Sequence, residues 1–525
     1  MKKSFLNMAS GETLSETADL AYNDSLDLFR TPVSNLGISD VKYVTSKAIN
    51  QFNSEGNIRF RHSGAGTCYL DLRNIYVKTL VRITKGDGGL IPEKPPFVQP
   101  SSSATQATSG AGKTGQPPKE NPSASASASK GTTTSTTTNT STSGSTTSTN
   151  GTSQNQKNQA QSEGETEQDT GEDAGLWSVG PINNLANSLF DNIEVRLNDC
   201  VILAGQTSYP YRAMMNILLD EDDMSDSELE AAMFYKDSAD NFSDFNLEGG
   251  NKGFIKRAHL MRGSRTVELL TKLDLDCFRL KHLLINSVDL DLTLIPTSSA
   301  FRLMTNNVDF TDYKLEIKDI SLITKIVQPT PQVLVGHQEV MKKDLSRAKY
   351  FFLRDDLRKW SLPKGITSYY VDDAYNSKVP AKIVLGFVSA EAAMGSIHHN
   401  PFDFKNYSVT FINATVSGAP APRGPIILDF ESGQYIQAYD DLYRGKKNVN
   451  PNKRIKLQEY PSGYSLFVID LAPQNENRYW PVNRQGNVRL EIRFARPLPE
   501  AAILFTKVSF PSEFSLDYSR NVFPG

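Results

Sequence analysis

Cysteine is scarce in this chain: three residues, Cys68, Cys200 and Cys277, in 525. An odd number spread over that length makes no disulfide framework, so a reducing compartment and small buried thiols are expected. An excess of charge of one sign is lacking too. Lys and Arg total 56 against 59 Asp and Glu, a formal net charge of -3. That balance excludes a protein whose main work is coating phosphate backbones and leaves room only for local nucleic-acid contact. Long apolar runs are missing. Phe5-Leu6 falls short of the roughly 7 to 15 apolar residues of an export signal, and no later run approaches the ~18 of a membrane span. The expectation is a soluble chain kept inside a cell, or inside something assembled there. The Asn-x-Ser/Thr triplets at Asn139, Asn150, Asn241, Asn406 and Asn413 are then chance matches rather than glycan acceptors.

Chemistry-bearing motifs are equally thin. There are six histidines, with no Cys-x-x-Cys, His-Glu-x-x-His or Gly-x-Ser-x-Gly, so no catalytic residue, metal site or cofactor is expected and the chain reads as not an enzyme. His398 and His399, near Asp403, are neighbours that an extended chain points to opposite faces, which suits a loop pair better than a shared metal. The acidic run from Leu219 to Asp226 does not have the order of a Ca²⁺ loop and is expected to be a solvated turn. Residues 107–114, ATSGAGKT, satisfy a relaxed phosphate-loop pattern, but neither flank offers the strand and helix that such a loop needs. Arg444, Lys446, Lys447, Lys453, Arg454 and Lys456 form one basic loop that could face an anion. No aromatic residue is interleaved for base stacking, so a solvated or intersubunit salt-bridging loop is the stronger expectation, with at most weak DNA contact.

The sharpest absence is local. The 77 residues from Gln99 to Gly175 contain no Val, Ile, Leu, Met, Phe, Trp, Tyr or Cys, and Ser and Thr make up 29 of the 60 residues 101–160. Such a segment cannot pack a core, and it is expected to be a disordered surface insertion. Its four Lys against seven acidic residues account for the whole net charge, leaving the other 448 residues neutral.

What is there is period two. Val488, Leu490, Ile492 and Phe494 alternate with Arg489, Glu491 and Arg493; Val288, Leu290, Leu292 and Leu294 alternate with Asp289, Asp291 and Thr293. Similar runs at 57–61, 69–83, 192–201, 314–318, 382–388, 407–416, 465–471 and 502–510 predict many short half-buried strands. Helical signals are few. Ser225 with Glu228 makes a capping box, and Pro210 opens a pattern through Met214, Ile217 and Leu218. Both are expected to be excursions from a β-domain. The strands fall into two groups either side of Pro329 and Pro331, so the predicted fold is all-β, with two tandem β-sandwiches. The expected organisation is an arm at 1–24, a first domain at 25–328 carrying the insertion 99–175, a linker at 329–349, a second domain at 350–515 and a tail at 516–525.

Longer strings carry a family likeness. YLDLRNIYVKTLVRI (69–83), SVGPINNLANSLFDNIEVRLNDCVI (178–202), SYPYRAMMNILL (208–219) and SVDLDLTLIPTSSAFRLM (287–304), then residues 349–387, NPFDF (400–404), residues 470–473, GNVRLEIRFARPLP (486–499) and Asn521 follow in order. Together they resemble the double jelly-roll major capsid proteins of the Polinton/Maverick and adintovirus group, relatives of the adenovirus hexon lineage. The chain departs from that pattern at Ala392–Ser396 and Tyr375–Lys378. The resemblance implies two jelly rolls, a homotrimeric pseudo-hexameric capsomer that tiles an icosahedral double-stranded DNA virus or virus-like transposon shell, and contacts with neighbouring capsomers, penton and minor capsid proteins. It places the protein in the virion, assembled inside the host cell, the nucleus included. The alternative is a tandem jelly-roll carbohydrate- or receptor-binding protein, which the missing export signal and odd cysteine count disfavour. A cupin-like enzyme fails for want of spaced His/His/Glu ligands.

Overall fold

A computed structural model describes residues 35–50, 56–64, 66–91, 179–204, 208–221, 224–306, 313–343, 346–444, 453–475 and 479–525. The arm at 1–24, the insertion at 99–175 with its phosphate-loop-like string, and Lys446 and Lys447 lie outside the described residues.

Sixteen strands carry the fold. The first eight are β1 (Ile38–Lys47), β2 (Ile58–His62), β3 (Tyr69–Lys85), β4 (Phe190–Leu197), β5 (Cys200–Leu203), β6 (Val267–Lys272), β7 (Leu290–Pro296) and β8 (Tyr313–Pro329). The second eight are β9 (Ala348–Leu362), β10 (Ser368–Val371), β11 (Lys382–Ser389), β12 (Val409–Val416), β13 (Ala419–Pro420), β14 (Leu466–Asp470), β15 (Val488–Phe494) and β16 (Ala502–Leu516). The first set forms two sheets ordered β1-β8-β3-β6 and β2-β7-β4-β5. The second forms β9-β16-β11-β14 and β10-β15-β12-β13. Adding eight to each label of the first pair gives the second, and the ladders are antiparallel throughout. Each half is thus a two-sheet jelly roll in which the first strand pairs with the last.

The alternation in the sequence becomes two faces per sheet. In the first half Ile75, Val77, Val81, Leu315 and Leu322 point inward and meet Phe60, Ile193, Val195 and Leu292, all buried. In the second, Ile383, Leu385, Leu504 and Val508 meet Ile412, Leu490 and Ile492, again buried. The run at 192–201 is two strands rather than one: Asn198 and Asp199 take left-handed backbone (φ 44° and 63°) and turn β4 into β5.

Three helices lie between β5 and β6: α1 (Tyr209–Leu218), α2 (Asp226–Ala231) and α3 (Lys252–Met261). Pro210 sits in the first turn of α1, and the Ser225–Glu228 capping box of α2 is formed, with Ser225 N–H donating to Glu228 at 2.9 Å. The expectation that α1 is an excursion is corrected here. Every residue from Tyr209 to Leu218 is buried, and Tyr211 stacks on Phe505 of β16 with centroids 4.1 Å apart while meeting Phe402 edge-on at 5.7 Å. The helix is core shared by both jelly rolls. The span expected as a linker contains α4 (Pro331–Lys343), of which only Met341 is buried. A last strand, β17 (Val522–Pro524), pairs with β16. Beside it Arg520 donates to Asn286 O and Oδ1 at 2.9 and 3.0 Å, tying the tail to the first half.

Gly386 of β11 shows how closely the halves approach. A Cβ there would lie 2.9 Å from Leu466 Cδ2 and Phe404 Cδ1 and 3.1 Å from Met215 Cε of α1. Gly386→Val is therefore expected to lower unfolding stability by about 1–3 kcal/mol through overpacking, read from the urea midpoint; an unchanged midpoint would show that α1 yields freely.

Candidate functional site: the buried seam and the open strand faces

α1 and the short turn Asp276–Arg279, which follows β6, lie on the outer face of the β9-β16-β11-β14 sheet. Between them runs a chain of charge. Arg212 of α1 donates to Asp276 at 2.9 Å, both side chains being at most 1% exposed. Asp276 in turn accepts the backbone N–H of Asp355 on β9 at 2.9 Å. Arg279 pairs with Asp274 and lies 3.7 Å from Asp355. Lys507 of β16 is fully buried; it donates to Asn216 and Glu221 and lies 3.8 Å from Asp355. Glu221 also holds Lys382.

The protonation equilibria follow from this packing. Burial pushes the Asp276 carboxyl up to about 6, against the opposing pull of Arg212. Burial works in the same direction on Asp274, but Arg279 and Arg212 outweigh it and hold that carboxyl below its ordinary range. Burial disfavours the Lys507 ammonium, yet Glu221 and Asp355 leave its pKa above the usual value. The arrangement is a structural clamp in which buried acids and cations neutralise one another across the seam. Among the described residues no group of three or more His, Cys, Asp or Glu is placed to hold a metal ion.

The acidic run from Leu219 to Asp226 is not a solvated turn throughout: Asp220 and Glu221 are drawn into the fold, a correction to the expectation, while Asp226 stays exposed. Glu221 turns into the seam, and Asp220 and Asp226 meet Arg454 at 2.9 and 3.0 Å. Of the basic loop, Arg444 pairs with Asp440 and lies 3.6 Å from Asp441. Lys453 sits over the rings of Tyr439 and Tyr443, 5.1 Å from each centroid, and Lys456 begins a turn in which its N–H donates to Glu459 at 3.0 Å. His398 Nδ1 lies 2.9 Å from Thr305 O and His399 lies 3.3 Å from Glu391, so the two rings are engaged separately. Cys277 is buried; Cys68 and Cys200 are half-buried, and none forms a disulfide. The seam itself escaped the sequence reading, because a lone Lys507 or Asp355 in a strand looks like a solvent-facing residue.

The other feature is open surface. β1 is an edge strand with most of its residues exposed, among them Val41 and Tyr43. On β9 Phe351 and Leu353 are exposed, with Trp480 set edge-on to Phe351 at 5.9 Å.

No protein-family model matches the chain. An uncharacterized protein of Caenorhabditis elegans is 27% identical over 349 residues, covering 65% of this chain and 80% of that protein. Among solved structures, a chain of the Sputnik virophage determined by cryo-EM has a TM-score of 0.58 at 12% identity, covering 98% of this chain and 94% of its own length. The mavirus and Faustovirus major capsid proteins align at TM-scores of 0.45 and 0.47, with 10% and 9% identity; the alignments cover 98% and 93% of this chain and 97% and 92% of theirs. The Sputnik likeness agrees with the strand scheme: the fold is a double jelly roll.

Removing one partner from a buried ion pair leaves the other charge uncompensated, at a cost of about 3–5 kcal/mol. Arg212→Met is accordingly expected to lower unfolding stability by that amount, whereas exposed Lys342→Met shifts it by no more than about 0.5 kcal/mol. Equal effects of the two in chemical denaturation would refute the clamp.

Proposed function

We propose that this chain is a major capsid protein, whose homotrimers form pseudo-hexameric capsomers in the icosahedral shell of a double-stranded DNA virus or virus-like transposon of the Polinton/Maverick and adintovirus type. The observation that carries the reading is the strand scheme repeated at an offset of eight, the two copies locked by α1 and the buried charges into one stiff block. Three such blocks make a six-lobed unit suited to tiling. The virophage chain with the same fold belongs to a virus particle, and a relative in a nematode accords with an element integrated in animal genomes.

On this reading the role is structural, without catalysis or cofactor. Residues 25–328 and 350–515 are the two jelly-roll domains, the insertion 99–175 a surface decoration, and penton and minor capsid proteins the further partners. The protein resides in the virion, assembled inside the host cell. No helix among the described residues is long and apolar enough to cross a membrane, in line with a shell component. The rival carbohydrate- or receptor-binding role gains no observation: the described polar clusters are occupied by intramolecular pairs.

Light scattering and electron microscopy of the purified chain are expected to show trimers with pseudo-hexagonal outline, or hollow shells. A monomer at micromolar concentration whose stability depends on added sugar or metal would overturn the proposal.

Genome contact is expected to be weak. Arg454 is spent on Asp220 and Asp226 and Arg444 on Asp440, and the chain outside the insertion is neutral. Duplex DNA should bind with micromolar affinity at best near 150 mM salt, each neutralised phosphate adding about -0.9 to the slope of log K against log salt. Nanomolar binding abolished by changing Lys446, Lys447, Lys453 and Arg454 to Gln would instead make the basic loop an inner, genome-facing element.

A further inference from the structure

One cation of the seam differs in kind from the others. Arg212 and Arg279 carry guanidinium groups, which keep their protons in proteins and do not act as nucleophiles. Lys507 of β16 carries an amine, with none of its side chain exposed. It donates to two groups of the first half: a carboxylate oxygen of Glu221, and Oδ1 of the buried Asn216 carboxamide on α1. The far side of that carboxamide is fixed as well, because Nδ2 donates to Asp274 at 2.6 Å. An amine, an oriented carboxamide and a proton acceptor for the amine thus meet in one water-poor place. Oδ1 is bonded to Cγ at about 1.2 Å, so a small turn of the carboxamide brings the amine to its carbon, at the roughly 3–3.5 Å from which oriented groups react.

We infer that Lys507 and Asn216 become joined by an isopeptide bond, a covalent staple between the two jelly rolls that the folded seam makes for itself. Glu221 first takes a proton from the Lys507 ammonium. Burial disfavours that ammonium, which Glu221 and Asp355 hold charged, and the transfer turns a buried ion pair into two neutral groups. The amine lone pair then forms the Nζ–Cγ bond while a carbonyl electron pair moves onto Oδ1. When that pair returns, the Cγ–Nδ2 bond breaks. Glu221 hands its proton to the leaving nitrogen and takes the surplus one from Nζ; ammonia departs and carries the last proton away as ammonium. One lysine ammonium and one asparagine carboxamide have become an amide and an ammonium ion, Glu221 is again a carboxylate, and no oxidant or other reactant is consumed. Asp274, ionised despite its burial because Arg279 and Arg212 face it, accepts from Nδ2 and orients the carboxamide. The Glu221 side chain, 20% exposed, marks the way out for ammonia. The product removes a buried charge, and it links positions 291 apart in sequence, restricting the unfolded chain as a disulfide would in a protein whose cysteines are free. The inference concerns the fold and does not depend on what the chain assembles into.

The test is intact-mass spectrometry of the purified full chain held folded at neutral pH. The expected mass is short of the sequence by one ammonia, and a protease digest is expected to yield a branched peptide joining Asn216 to Lys507. Exposed Lys342→Met keeps both signs. Glu221→Gln, its folding checked by circular dichroism, forms the link at least about a hundredfold more slowly, the usual scale for losing a positioned proton acceptor. Should Glu221→Gln not fold, the wild-type digest decides by itself. A wild type of full sequence mass overturns the staple, as does an ammonia loss that maps to any other residue. A folded Glu221→Gln chain that links as fast as the wild type overturns the role given to Glu221. The capsid proposal is read separately, by light scattering, and stands or falls independently of these outcomes.

Discussion

A lysine with no exposed side chain, in the middle of a β-strand, constrains the molecule more than any other single group. Taking an ammonium out of water costs several kcal/mol even after the protein relaxes. Lys507 is tolerated only because Glu221, from the end of α1 in the first half, and Asp355, from β9 beside it, surround it. The two halves therefore satisfy these charges together: apart, Lys507 would return to water and Glu221 would lose both its lysines. The aromatic stack of Tyr211 on Phe505 supplies apolar burial beside this polar core, and Arg212, Asp276 and Arg279 extend it along β9. The charges add little net stability beyond what packed apolar groups would contribute; what they set is register, since one relative placement of the two sandwiches satisfies all of them.

Much of this was legible in the chain, and the rest was hidden for identifiable reasons. Strands with one wet face declared themselves by alternation, as in Val488–Phe494, and the two groups of strands, the capping box at Ser225 and the proline opening α1 are all found where the pattern put them. Strands with unusual faces did not. β1 is exposed on both sides, so ISDVKYVTSK lacks an apolar face to detect, and β9 reads as charged because Asp355 and its neighbours are turned into a seam rather than into water. The depth of α1 was equally hidden. Its single Arg and Asn look like a polar face, yet both are buried against partners from distant sequence, Asp276 and Lys507. Local periodicity reports whether a residue is covered by its own sheet; it carries nothing about a second domain laid over the outside.

The same reasoning explains why the candidate site is a seam and a set of surfaces rather than a pocket. The six histidines and three cysteines show no catalytic spacing in the sequence, and the buried charges of the seam are spent on one another. The basic run that stood out by composition turned out to have several of its charges engaged locally: the aspartates that meet Arg444 and Arg454 lie on α5 (Ile436–Tyr443), in the turn after α1 and at the start of α2. A cluster of one sign in a sequence is a count of residues, whereas a field around a protein is what remains after neighbours are subtracted.

The two longest strands of the first half give the molecule a direction. β3 and β8 each run for 17 residues, about 55 Å at roughly 3.3 Å per residue. Their register places Lys85 beside Tyr313 at one end and Tyr69 beside Val327 at the other, where β1 starts and α4 follows. The last described residues before the long apolar-free stretch lie at the Lys85 end, where Ile91 N–H donates to Ser264 at 2.8 Å, whereas the described chain resumes at Val179 beside Thr305, which meets Ile397 and His398 of the second half. A change of sequence between those two points therefore has one anchor inside the first half and the other at the joint that holds the two halves together.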